Sequence, residues 1–146
     1  MTLIATLRSQ HAAVLTLVQQ IEDSIDKGDT TQVHATLKTL GGALTTHLAL
    51  EDAQLYPGLE KLAATKGSEN LRTVASQFSI NMGRISESLL SFLRKYDASV
   101  SDLVVFRRDW AQVKAALASR ISAEEKSLYP LFEKATKAAE ASASAT

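Results

Sequence analysis

Two eleven-residue stretches of this chain run in parallel, and they hold the side chains best suited to chemistry. His47-Leu48-Ala49-Leu50-Glu51-Asp52-Ala53-Gln54-Leu55-Tyr56-Pro57 is echoed by Arg120-Ile121-Ser122-Ala123-Glu124-Glu125-Lys126-Ser127-Leu128-Tyr129-Pro130, with a fainter echo in Glu60-Lys61 and Glu133-Lys134. In the first stretch a histidine and a glutamate stand four residues apart, so on a helix both project from one face. Two side chains so arranged can grip one metal ion, and imidazole with carboxylate suits iron, manganese or zinc better than calcium. The second stretch keeps Glu124 but has Arg120 in the histidine's position. A guanidinium is a permanent cation with no lone pair to give.

The elements that must position these residues are helical. Apolar residues recur every three or four positions in four blocks. The first runs Ile4, Leu7, His11, Val14, Val18, Ile21, Ile25 and stops near Gly28. The second follows the capping residues Asp29-Thr30 through Val33, Leu37, Leu40, Leu44, His47, Glu51 and Leu55. Tyr56-Pro57 should bend or interrupt it, because residues before proline avoid the helical region. One or two further turns carry Leu59 and Leu62 before Lys66-Gly67-Ser68. The third block, Leu71 to Phe92, closes near Tyr96-Asp97. The fourth starts around Ser99 or Ser101 and runs from Leu103 past Pro130. Strand alternation is missing. The expected fold is all-α, an up-down-up-down four-helix bundle over residues 1–137, with 138–146 as a frayed tail.

The 146 residues carry 16 basic and 16 acidic side chains and no cysteine. The charge balance gives no reason to expect nucleic acid or an anionic membrane as a partner, and disulfides and thiolate chemistry are excluded. No apolar run is long enough to span a bilayer, and the N-terminus lacks the pattern of a secretory leader. A cytoplasmic protein is expected.

His11, His47, Glu51, Asn81, Arg120 and Glu124 fall on positions otherwise held by Leu, Ile, Val or Phe. Polar groups in a bundle core are costly unless bonded, paired or metal-bound. Convergence from four helices at one level is how carboxylate-bridged metal sites arise in bundles. Each residue also has a plainer reading. A seam histidine can be a satisfied core residue, and a small rotation of the third helix would expose Asn81. Tyr56 and Tyr129 read as structural ends to each stretch, and His34, thirteen residues before His47, as a surface residue.

From Leu7 to Glu133 the chain resembles the hemerythrin-like, or HHE cation-binding, family. Leu7-Arg8-Ser9-Gln10-His11 is similar to its first-helix histidine motif. His47-Leu48-Ala49-Leu50-Glu51-Asp52 with Leu55-Tyr56-Pro57 is similar to its second-helix motif. The resemblance implies a four-helix bundle with a non-haem di-iron site that binds oxygen or senses iron, oxygen or nitric oxide. It puts His11, His47, Glu51 and Glu124 at ligand positions, the glutamates as metal bridges. Two departures accompany it. No histidine follows His47, so the third-helix ligand position is taken by Asn81, and Arg120 replaces the fourth-helix histidine.

Two inward carboxylates would repel each other, and a planar guanidinium suits them both. The expectation is a buried ion-pair cluster of Arg120 with Glu51 and Glu124, with His11 or His47 in contact. The rival is an Arg120 that snorkels outward. The function expected first is a regulatory or partner-binding module without a cofactor, acting on a protein partner and not as an enzyme. The alternative is a sensor or store holding iron, mononuclear or as a partial di-iron site, through His11, His47, Glu51 and Glu124. A phosphotransfer domain using His34, with Lys38, Gly41 and Gly42 nearby, is a third reading from a different class.

Overall fold

Gly28 and Gly67 end the first two rods of the structure, a computed structural model that describes residues 2–144. Both glycines adopt the left-handed conformation, at φ of 67° and 61°, which a residue without a Cβ enters freely. Helix α1 (Leu3–Asp26) is capped by Thr2, whose hydroxyl accepts from the Ala5 amide at 3.1 Å. Helix α2 (Thr30–Leu50) is capped by Asp29, which accepts from the Gln32 amide at 3.0 Å. Ser68 caps α4 (Glu69–Lys95) by accepting from the Leu71 amide at 3.2 Å. Helix α5 (Leu103–Ala123) begins later than the serines at 99 and 101 suggest. Asp102 is its cap, accepting from the amides of Val104 and Val105.

The prolines do not interrupt their rods as expected. From α2 the backbone passes through a five-residue π-helical turn, Glu51–Leu55, directly into α3 (Tyr56–Lys66). A matching turn, Glu124–Leu128, joins α5 to α6 (Tyr129–Ser144). In each, the tyrosine amide bonds to the glutamate carbonyl five residues back. Proline has no N–H to give and its ring crowds the carbonyl four residues behind it. One extra residue in the turn accommodates that, and the proline falls in the first turn of the next helix, where no amide hydrogen is needed. The tail also departs from expectation. Residues 138–144 continue α6, in keeping with their high alanine content; residues 145 and 146 lie outside the described residues.

The four rods pack antiparallel with their sequence neighbours, and α5 closes back on α1. No strand occurs among the described residues, and no helix among them is long and apolar enough to cross a membrane. The core has two apolar clusters. One includes Val14, Ile21, Leu37, Leu44, Phe92, Phe106, Trp110 and Leu117. The other includes Leu7, Leu55, Leu59, Leu71, Met82, Leu128 and Tyr129. On α1, on the second rod and on the last rod the polar seam residues fall between members of the two, so they form a layer separating them. Trp110 strengthens the first cluster by donating its indole N–H to Glu22 of α1 at 2.8 Å.

Candidate metal centre

Helices α1, α2 and α5 and the two π-helical turns bring polar residues inward because the flanking apolar positions bury that face. Helix α1 carries His11 between Leu7 and Val14; α2 carries His47 beyond Leu44. The two π-helical turns carry Glu51 and Glu124, and the last turn of α5 carries Arg120. All five are buried, Arg120 the most exposed at 4%.

Arg120 Nη2 donates to Glu51 Oε1 at 2.8 Å, and its Nε lies 3.6 Å from Glu124 Oε1. Its Nη1 donates to the Ser86 hydroxyl at 3.0 Å and the Met82 carbonyl at 3.3 Å, both on α4. Arg120 is therefore held inward, and the outward-snorkelling alternative does not occur. His11 Nε2 is 3.1 Å from both His47 Nε2 and Glu124 Oε1. His47 Nε2 is 3.5 Å from Glu51 Oε2 and 3.7 Å from Glu124 Oε1. The Tyr129 hydroxyl donates to Glu51 Oε2 at 3.0 Å and lies 3.2 Å from His11 Nε2, its ring stacked on that imidazole.

Burial alone would lower the basicity of His47, but the carboxylates of Glu124 and Glu51 outweigh it and raise its pKa to about 9. Glu124 is the converse. Burial pushes its carboxyl up, yet contacts with His11 and His47 hold it well below the usual carboxylate range. Burial pushes Glu51 up, against the pull of His47, and the adjoining Glu124 adds to the rise. The Tyr129 and Tyr56 hydroxyls are pushed up by burial and by both glutamates, so each stays a neutral phenol.

The structure thus gathers His11, His47, Glu51, Arg120 and Glu124 and leaves out Asn81, which is solvent-exposed. One residue further along α4, Met82 is buried, and it and Ser86 meet Arg120. A step of one residue turns a helix by about 100°, enough to carry Asn81 off the seam. Three participants escaped the sequence reading. Tyr129 joins the cluster because the π-helical turn swings the residue five beyond Glu124 towards the same face. Gln10 Oε1 sits 2.7 Å from His47 Nδ1, and Glu125 Oε1 sits 3.2 Å from His11 Nδ1. The signal available for these two was adjacency to seam residues. His34 is half-buried and not freely exposed; its Nε2 donates to the Asp97 carbonyl at 2.8 Å.

These features define an all-α bundle with a histidine–glutamate group in its core. A match to the hemerythrin HHE cation-binding domain spans residues 2–132, and the chain belongs to that family. No curated protein and no solved structure matches it.

Domains of this family bind iron, and one group of side chains here could hold a metal ion. His11, His47 and Glu124 each offer a donor atom within reach of one position. Their separations of 3.1, 3.1 and 3.7 Å are compatible with bonds of about 2.0–2.2 Å to a single metal. Glu124 Oε2 is buried without a hydrogen-bond partner, a lone-pair donor with nothing to bind. A second ion bridged by the glutamates would meet the Arg120 guanidinium. Both oxygens of Glu51 already accept hydrogen bonds, from Arg120 and Tyr129. The hollow beside His11, His47, Arg120 and Glu124 holds about 10 Å³, around the least that admits a water molecule.

Proposed function

We propose that this is a hemerythrin-like domain with an incomplete di-iron site, a regulatory or partner-binding module that neither carries oxygen nor catalyses a reaction. The observation that supports it is the buried Arg120 guanidinium between Glu51 and Glu124. Those two carboxylates are the ones a di-iron centre would need as bridges. A fixed positive charge there does electrostatically what an ion would do, and does it permanently. The bundle then keeps the shape of its family without depending on a second metal, and its outer faces are left to contact a protein partner. Balanced charge and the lack of any membrane-crossing helix among the described residues favour a protein of the cytoplasm over one bound to nucleic acid or lipid.

A second reading is favoured by the triad of His11, His47 and Glu124 with its unpartnered oxygen. In it the domain is a sensor or store holding a single divalent ion, iron being the family's metal. A bound ferrous ion would supply a redox-active centre with positions open to an external ligand. The chain's own residues would hold it through two imidazoles and one carboxylate. Arg120 and Tyr129 keep Glu51 engaged elsewhere, and the two apolar clusters exclude bulk water.

Metal per chain, measured by elemental analysis after anaerobic loading with ferrous iron and desalting, separates the readings. A value near zero is the expected result for a metal-free module, and a value near one favours the sensor or store. Two ions per chain would overturn both, since Arg120 would then have to leave the cluster.

A further inference from the structure

Gln10 and Glu125 offer no atom to the metal group itself, yet each closes on the outward nitrogen of one of its histidines. The Glu125 carboxylate only accepts hydrogen bonds, so His11 Nδ1, 3.2 Å away, carries the hydrogen and donates it. Gln10 Oε1, 2.7 Å from His47 Nδ1, accepts in the same way. With both Nδ1 atoms committed as donors, both Nε2 positions face inward, 3.1 Å apart, as lone pairs once the extra proton of His47 has left. Glu124 Oε1 adds a third inward lone pair at 3.1 and 3.7 Å. Lone pairs at that separation repel unless a proton or a cation lies among them. An outward oxygen on the second ring nitrogen is also the arrangement that fixes tautomer and ring direction in metal-binding histidines.

We infer that Gln10 and Glu125 are positioning residues that hold His47 and His11 in the Nε2-donating form, presetting with Glu124 a three-ligand seat for one divalent cation. The inference rests on the single-ion reading above. The bracing crosses between elements. Gln10, beside His11 on α1, serves His47 of α2. Glu125, beside Glu124 in the second π-helical turn, serves His11 of α1. Each ligand-bearing element thus orients a ligand of another or is oriented by one, and the three cannot drift apart independently. Arg120 completes the selection by keeping Glu51 out of the ligand set.

The test is a cobalt(II) titration of the full chain, stripped of metal by a chelator, followed through the visible absorption of the bound ion. The variants are Gln10→Leu and Glu125→Leu, with Gln10→Glu and Glu125→Gln as replacements that keep an acceptor oxygen. The expected result is one cobalt per wild-type chain. The leucine variants should bind about 10–100-fold more weakly, with a changed absorption spectrum and unchanged melting behaviour. The acceptor-keeping variants should recover both affinity and spectrum. Both positions are partly exposed, so the leucine variants should fold; alanine replaces leucine wherever one does not. Wild-type affinity and spectrum in both leucine variants would overturn the positioning role while leaving the single-ion reading intact. No cobalt uptake by the wild type would overturn that reading and this inference together.

Discussion

Glu51 and Glu124 hold matching places in the two related stretches, each opening a π-helical turn and each fully buried. Glu51 has both oxygens bonded, to Arg120 and Tyr129. Glu124 has one oxygen against His11 and the other without a partner. The tyrosines that close the turns differ in the opposite order. Tyr129, from the second stretch, reaches across to Glu51, while the Tyr56 hydroxyl has no partner. The contrast between the glutamates traces to one position. Arg120 stands where its counterpart is His47, and it bonds more closely to the glutamate of the other stretch than to its own. One arginine converts one glutamate into half of an ion pair. It leaves the other beside two histidines, in the group that could hold a metal.

The comparison can be broken most forcefully at Arg120. Arg120→Leu strands two buried carboxylates, and equilibrium denaturation should show a loss of about 3–5 kcal/mol, as when one partner of a buried ion pair is removed. Pairing it with Glu51→Leu should recover much of that. A loss near zero in the single variant would mean the cluster does not hold the core together.

The next effect is in pH. His47 has a folded pKa of about 9, above its ordinary 6.5. The protonated form is favoured by folding, so its contribution is complete below pH 6.5 and is lost as pH rises through about 9. In metal-free protein held with a chelator, stability should fall across that window, and His47→Gln should flatten the decline. A wild-type profile that stays level there would show that His47 is neutral in the fold.

The smallest effect sharpens the asymmetry of the tyrosines. Tyr129→Phe removes a buried donor to a carboxylate and should cost about 1.5–3 kcal/mol. Tyr56→Phe removes a hydroxyl with no partner and should be neutral or stabilising. Equal losses in thermal melts of the two variants would mean the stretches are energetically equivalent after all.

The fold was largely readable because capping and stop residues coincide with the periodicity. Asp29, Gly28, Gly67 and Ser68 bound the rods where the apolar pattern pauses. His11, His47, Glu51, Arg120 and Glu124 were readable as a cluster because each interrupts an apolar seam at similar depth. Asn81 takes the plainer of its two readings, exposed, because the third rod offers no such interruption: Met82 continues its apolar face, and the polar contact to Arg120 comes from a backbone carbonyl and Ser86. The bond of Tyr129 to Glu51 was not legible because an α-helical projection turns a residue five positions on away from the starting face. Only the wider turn brings it back. Gln10 and Glu125 sit at the rim of the seam, where polar residues are the rule and carry no signal of their own.

Each wide turn also acts on chain length. Its extra residue is a phase shift between the two halves of a rod, so that Glu51 faces the polar layer while Tyr56, Leu59 and Ala63 still face the core. Deleting one residue between Glu51 and Leu55 would restore the ordinary helical count and rotate everything beyond it by about 100°. Leu59 and Ala63 would then turn towards solvent, and the same holds for Ala135 in the last rod. Substitutions within these turns change the contacts of one side chain, whereas a single insertion or deletion would re-register a whole half-helix. The spacing from glutamate to Tyr-Pro is therefore the dimension of this sequence least free to vary, even where the residues inside it differ between the two stretches.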